Sequence, residues 1–122
     1  MFVYADQAAT TRIDERVLSA MMPYLKDGYG NAGSLHTLGE QARQALQTAR
    51  AQVAALIGAD ADEIYFTSGG TESDNWVIQG VAQAFRQQGK HFICTDVEHH
   101  AVLHPFEHLQ KQGYDVSYLH AD

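Results

Sequence analysis

Ile64-Tyr65-Phe66-Thr67-Ser68-Gly69-Gly70-Thr71-Glu72-Ser73-Asp74-Asn75 is the stretch on which the fold turns. A β-branched and aromatic run, Ile64 to Thr67, stops at Ser68-Gly69-Gly70. The chain then passes into a segment with Trp76, Val77, Gly80, Val81, Ala84 and Phe85 at helical spacing. The expected helix runs from Thr71 to Gln88, with that apolar set facing inward and Gly89 as the stop. The alternation repeats downstream. His91-Phe92-Ile93-Cys94-Thr95 reads as a strand, about Ala101 to Gln112 as a helix ending at Gly113, and Asp115-Val116-Ser117-Tyr118-Leu119 as a strand. Strand, helix, strand, helix, strand implies parallel pairing with right-handed crossovers.

Upstream of this block the signals are helical. Asp14 is a candidate N-cap for a helix marked by Val17, Leu18, Met21 and Leu25. Gly28, Gly30, Asn31 and Gly33 mark a loop. Leu38, Ala42, Ala45, Leu46, Ala49, Val53 and Leu56 then form the stripe of a helix from about Leu38 to Ile57, with Gly58 at the left-handed cap position. The expected architecture is α/β: a partial parallel sheet of three strands with helices, preceded by an N-terminal helical arm. Three strands ending directly after the last one read as an N-terminal piece of a larger α/β protein, with a small complete three-strand domain as the competing reading.

The 122 residues carry 8 Lys plus Arg against 15 Asp plus Glu, a net charge of −7 with His neutral. That balance argues against a nucleic-acid surface, which needs clustered cations. No apolar run approaches the ~20 residues that span a bilayer, and the first residues lack the pattern of a signal peptide. One cysteine, Cys94, forms no internal disulfide, so a cytoplasmic location is expected.

Chemistry is expected where strands end. Ser68-Gly69-Gly70-Thr71 follows a strand and opens a helix, so free N–H groups and the helix dipole suit a phosphate there. An ordinary turn capped by Ser68 or Thr71 is the competing reading. Asp96-Val97-Glu98-His99-His100-Ala101 follows the next strand and emerges at the same sheet edge, where ligands of open α/β sheets bind. An imidazole there can stack on a flat ring or move a proton, and spacing does not separate His99 from His100. His91, His104, His108 and His120 read as solvated. No metal site is expected, because Glu98, His99, His100 and His104 lack conventional zinc spacing.

Four segments together resemble the opening of a cysteine desulfurase: Asp6-Gln7-Ala8-Ala9-Thr10-Thr11; Gly30-Asn31 with Ser34-Leu35-His36; Thr67-Ser68-Gly69-Gly70-Thr71-Glu72-Ser73-Asp74-Asn75; and Glu98-His99-His100-Ala101-Val102-Leu103. The likeness is to the NifS/IscS-like branch of the class V aminotransferases, pyridoxal-phosphate enzymes of fold type I. It spans essentially the whole chain.

The resemblance implies that residues 1–15 form an arm and 16–122 begin the cofactor-binding large domain. It implies that Gly70 and Thr71 hold the phosphate of pyridoxal 5'-phosphate, and that His99 stacks on its ring and serves acid–base steps. The Ala8-Ala9-Thr10 arm would lie near the site. Gln7 stands where Asn is common and Gly70 where Ala is common, and neither change removes a donor.

The implied parent takes sulfur from L-cysteine as an enzyme persulfide, leaving alanine. It is a homodimer that passes sulfur to an acceptor or scaffold protein, as in iron–sulfur cluster assembly. The family's cofactor Lys lies in a Ser-x-His-Lys motif, but this chain has only Lys26, Lys90 and Lys111. The sulfur-accepting Cys is on a downstream loop, whereas Cys94 reads as a buried strand residue. The chain alone is therefore expected to be inactive. Another class V enzyme, such as a selenocysteine lyase or an aminotransferase, and a non-catalytic fragment are the alternatives.

Overall fold

Asp14 opens the first helix as its sequence suggests: its carboxylate accepts from the Arg16 backbone N–H at 2.8 Å and its side chain also pairs with the Arg16 guanidinium. The computed structural model describes residues 3–121. They fall into two compact units, one running through Tyr65 and the other from Phe66 onward.

The first unit holds α1 (Glu15–Lys26), α2 (Thr37–Ile57) and a 3-10 turn (Ala61–Glu63). Helix α2 ends at Gly58, whose φ of 71° provides the left-handed cap and whose N–H bonds to the Ala54 carbonyl. The loop before α2 is built by close approach. A Cβ on Gly39 would lie 2.3 Å from the Ser34 carbonyl oxygen, and one on Gly30 would lie 2.2 Å from that of Leu38. Asn31 closes this loop by accepting from Gly33 N–H at 2.9 Å, and Arg43 Nη1 donates to the Ala32 carbonyl at 3.0 Å. The apolar stripe expected to pack along α2 is mostly exposed; only Gly39 and Ala54 of this helix are buried. Leu46 and Leu56 on that stripe point to solvent.

The second unit contains α3 (Gly70–Ala84), β1 (His91–Thr95), α4 (His100–Lys111) and β2 (Asp115–Leu119). Strands β1 and β2 pair in parallel, with His91 opposite Asp115 and Thr95 opposite Leu119. Helix α4 crosses between them and ends at Lys111; Gly113, two residues on, has a φ of 86° and turns the chain back toward the sheet. The sheet therefore has two strands among the described residues, not the expected three. Ile64 has extended backbone angles, yet among the described residues no strand is assigned over 64–67; β-propensity alone does not make a ladder.

The core joins Ala82 of α3, Cys94 of β1, Phe106 and Leu109 of α4, and Val116 of β2. Phe92 adds tilted ring contacts to Phe106 and Tyr114 at 5.6 and 5.8 Å. Helix α3 corrects two expectations. It stops at Ala84, because Phe85, Gln88 and Gly89 close a turn in which the Phe85 carbonyl takes both following N–H groups. Its buried face is Ala82 with Ile78 alongside, whereas Trp76, Val77, Val81 and Phe85 are exposed. Both sets recur at helical spacing, so periodicity alone could not choose between them.

The sheet is likewise one-sided: Phe92, Cys94, Val116 and Tyr118 face the helices, while Ile93 and Leu119 on the opposite face are exposed. No helix among the described residues is long and apolar enough to cross a bilayer.

Candidate functional site

Helix α3 runs antiparallel to the strands. Tyr114, at the start of β2, donates its hydroxyl to the carbonyl of Ala82 near the far end of α3 at 2.8 Å. The first turn of α3 consequently lies toward the carboxyl ends of β1 and β2, and so does the start of α4, which follows β1.

The turn entering α3 is held by side chains. Thr67 Oγ1 and Ser73 Oγ are 2.7 Å apart, so one donates to the other, and the Gly69 carbonyl lies within reach of both at 3.2 and 3.3 Å. Glu72 reaches back to Ser68, accepting from its N–H and its hydroxyl at 2.6 Å each. Those bonds, the hydroxyl first, hold the Glu72 carboxyl below the usual carboxylate range. The expected caps Ser68 and Thr71 do not cap the helix. Gly69 occupies the N-cap position with no side-chain bond, because the Ser68 hydroxyl is committed to Glu72 and Thr71 lies inside the first turn. Among the described residues the amides of Gly70 and Thr71 have no intrachain acceptor, and both residues are exposed. Nothing lies within 4 Å of a Cβ built at Gly69 or Gly70, so the space before the helix is open.

His99 is the N-cap of α4, its Nδ1 accepting from the Ala101 N–H at 3.0 Å. That role puts the proton of the neutral ring on Nε2. His100 begins α4 and turns edge-on to His104, ring centroids 5.0 Å apart, so the adjacent imidazoles serve different contacts. Spacing had left the two equivalent.

Asn75 ties these pieces together and received no role from the sequence. Its Nδ2 donates to the Thr71 carbonyl at 2.8 Å and to the Ala101 carbonyl at 3.2 Å. Both partners are acceptors, which fixes the orientation of the amide. The Ala101 carbonyl lacks its helical donor because residue 105, four positions on, is Pro and has no N–H. That proline inside a helix was the available signal.

The remaining histidines are exposed but partnered. His91 bonds Ser117 at 2.8 Å, His108 bonds Gln112 at 2.7 Å, and His120 Nδ1 lies 2.5 Å from Asp96 Oδ2, clipping the ends of β1 and β2 together. That bond draws the Asp96 carboxyl below its usual range. Cys94 is buried; burial first, then the nearby Glu98 charge, pushes its thiol up, as for an inert core residue rather than a nucleophile. Among the described residues no group of three His, Cys, Asp or Glu converges as a metal site.

The model of the family described as aminotransferase class-V matches residues 3–122. A cysteine desulfurase IscS of Methanosarcina thermophila is 48% identical over 98% of this chain and 30% of its own length. A putative cysteine desulfurase IscS 1 of Bacillus subtilis is 50% identical over 98% of this chain and 32% of its own length. Among solved structures, a NifS-like protein superposes with a TM-score of 0.90 at 41% identity, covering 98% of this chain and 33% of that one. The chain thus spans about a third of the length of the relatives it matches.

Proposed function

The chain belongs to the class V aminotransferase family, and on that premise we propose that it supplies the phosphate- and ring-binding segment of a pyridoxal-phosphate-dependent cysteine desulfurase. One observation carries the reading: an uncapped, exposed helix start with free amides at Gly70 and Thr71, tied through Asn75 to the helix start that carries His99. The names of the similar proteins support the choice of reaction.

The residues present fit the phosphate end of the cofactor, since open space and unpaired N–H groups coincide at a positive helix terminus. In this reading Gly70 and Thr71 bind the phosphate, and the Thr71 hydroxyl adds a donor. His99 would hold the ring, its own orientation fixed by the bond from Ala101, with Nε2 left to hold or pass a proton. Pyridoxal 5'-phosphate, when bound, supplies an electron sink for the α-carbon of an amino acid. The second unit's lysines are remote from this edge: Lys90 precedes β1 and Lys111 ends α4. None of the chain's lysines, Lys26, Lys90 and Lys111, lies in the Ser-x-His-Lys motif, so in this reading the chain alone turns over no L-cysteine.

In the same reading residues 1–15 form an arm and 16–122 open the cofactor-binding large domain. The whole enzyme is a cytoplasmic homodimer that hands sulfur to an acceptor or scaffold protein for iron–sulfur clusters. The test is a titration of the 122-residue chain with pyridoxal 5'-phosphate, followed by NMR. Saturable shifts at Gly70, Thr71 and the His99 ring are expected. Shifts confined to lysines, with the α3 start unmoved, refute the assignment.

A further inference from the structure

We infer that Asn75 is a positioning residue: through the carbonyl that Pro105 leaves without a helical donor, it sets the His99 imidazole relative to the anion-binding amides of Gly70 and Thr71. The inference rests on the function proposed above and concerns how the two halves of that site are held in register.

A proline within a helix removes one N–H, and the carbonyl four residues earlier loses its partner. Here that carbonyl belongs to Ala101, which is 5% exposed, so water has little access to satisfy it. Asn75 supplies the missing donor from the neighbouring helix at 3.2 Å. Its second hydrogen goes to the Thr71 carbonyl, one turn back on its own helix, at 2.8 Å. The half-buried amide therefore has one hydrogen in the first turn of α3 and the other in the first turn of α4.

Ala101 is the hinge of the relay. Its carbonyl accepts from Asn75, and its N–H donates to Nδ1 of His99. Thr71, Asn75, Ala101 and His99 form one continuous set of hydrogen bonds, with the phosphate amides at one end and the imidazole at the other. A ligand that carries a phosphate and a flat ring on one rigid frame needs both ends at a set distance. A free phosphate ion needs only one. That difference separates positioning from a merely structural role.

The experiment uses the 122-residue chain and three variants: Asn75→Ala, Pro105→Ala, and the two combined. In the combined variant residue 105 regains an N–H for the Ala101 carbonyl, so α4 stays satisfied while the strap is gone. Inorganic phosphate and pyridoxal 5'-phosphate are the probes, read by NMR shifts, together with ligand-free nuclear Overhauser contacts between Thr71 and Ala101.

The combined variant is expected to bind inorganic phosphate within about twofold of wild type and to bind pyridoxal 5'-phosphate about fivefold or more weakly, the scale of one lost hydrogen bond. It should also lose the ligand-induced shift of the His99 ring and the Thr71–Ala101 contact. Pro105→Ala alone keeps the strap and should match wild type. Unchanged pyridoxal-phosphate affinity and His99 shift in the combined variant overturn the inference, as does an equal loss in Pro105→Ala alone. A wild-type chain that binds neither probe at Gly70 and Thr71 refutes the proposed function instead. The ligand-free contact still decides the strap: its persistence without Asn75 overturns it.

Discussion

Two glycines inside helices, Gly39 and Gly80, should respond in opposite directions to the same change. On helix propensity alone, Gly→Ala stabilises an interior position by about 1 kcal/mol. Gly80 sits in α3 with nothing within 4 Å of an added Cβ, so it should realise most of that gain. At Gly39 the new Cβ would stand 2.3 Å from the Ser34 carbonyl oxygen and 2.8 Å from that of Asn31. Ordinary carbon–oxygen contact is about 3.3 Å, so the Asn31–Ser34 backbone must retreat by roughly 1 Å.

A shift of that size stretches the bond from Ser34 N–H to the Asn31 carbonyl, now 2.9 Å, and strains the 3.4 Å cap from Gly39 N–H to His36 Nδ1. Overpacking of about 1–3 kcal/mol plus about one lost hydrogen bond outweighs the propensity gain, for a net loss near 2 kcal/mol. The two variants should therefore differ by about 3 kcal/mol, or over a hundredfold in folding equilibrium. Urea unfolding by far-UV circular dichroism, with amide exchange resolving α2 from α3, measures it. A Gly39→Ala chain at or above wild-type stability in α2 would refute the reasoning.

Leu109, 1% exposed at the centre of the second unit, should cost about 2–3 kcal/mol when cut to Ala, seen as earlier exchange of the β1 and β2 amides. The Asp96–His120 clip should fail in acid. A carboxyl whose folded pKa is depressed stabilises fully above its unfolded value, near 3.9, and loses that contribution as pH falls through the lower folded value. A carboxyl NMR titration of Asp96, with the Ala121 amide as reporter, should show the depression shrink in His120→Ala. Cys94 should resist iodoacetamide in the folded chain and react readily in urea, by mass spectrometry; rapid labelling under native conditions would contradict its burial.

Local chemistry in this chain was readable in advance because it is encoded locally. Asp14 as a cap, Gly58 as a left-handed stop and the β1–α4–β2 crossover depend on a few neighbouring residues. What escaped was whatever needed a partner far along the chain. Ile64 to Thr67 has the composition of a strand but is not among the strands of the described sheet. In α3, Trp76 and Val77 looked as suited to burial as Ile78 and Ala82, and only the position of α4 settles which face is covered. The glycine-rich turn read as either a capped turn or an anion site; the commitment of Ser68 to Glu72 is the detail that leaves the helix start open. Asn75 stood in plain view within the quoted block, yet its importance depends on Pro105, thirty residues on.

The one-sided sheet has a kinetic consequence. Pairing β1 with β2 closes a loop of modest length around α4, so the second unit is built from near neighbours in sequence and should form early as the chain leaves the ribosome. Once formed, it presents Ile93 and Leu119 as exposed side chains on one face of a sheet that has two strands among the described residues. Parallel sheets are normally covered on both faces, and uncovered ones associate with one another. The interval between folding of this unit and the covering of that face is when a nascent chain is most exposed to aggregation. A chaperone that binds extended apolar strands would act most usefully in that window.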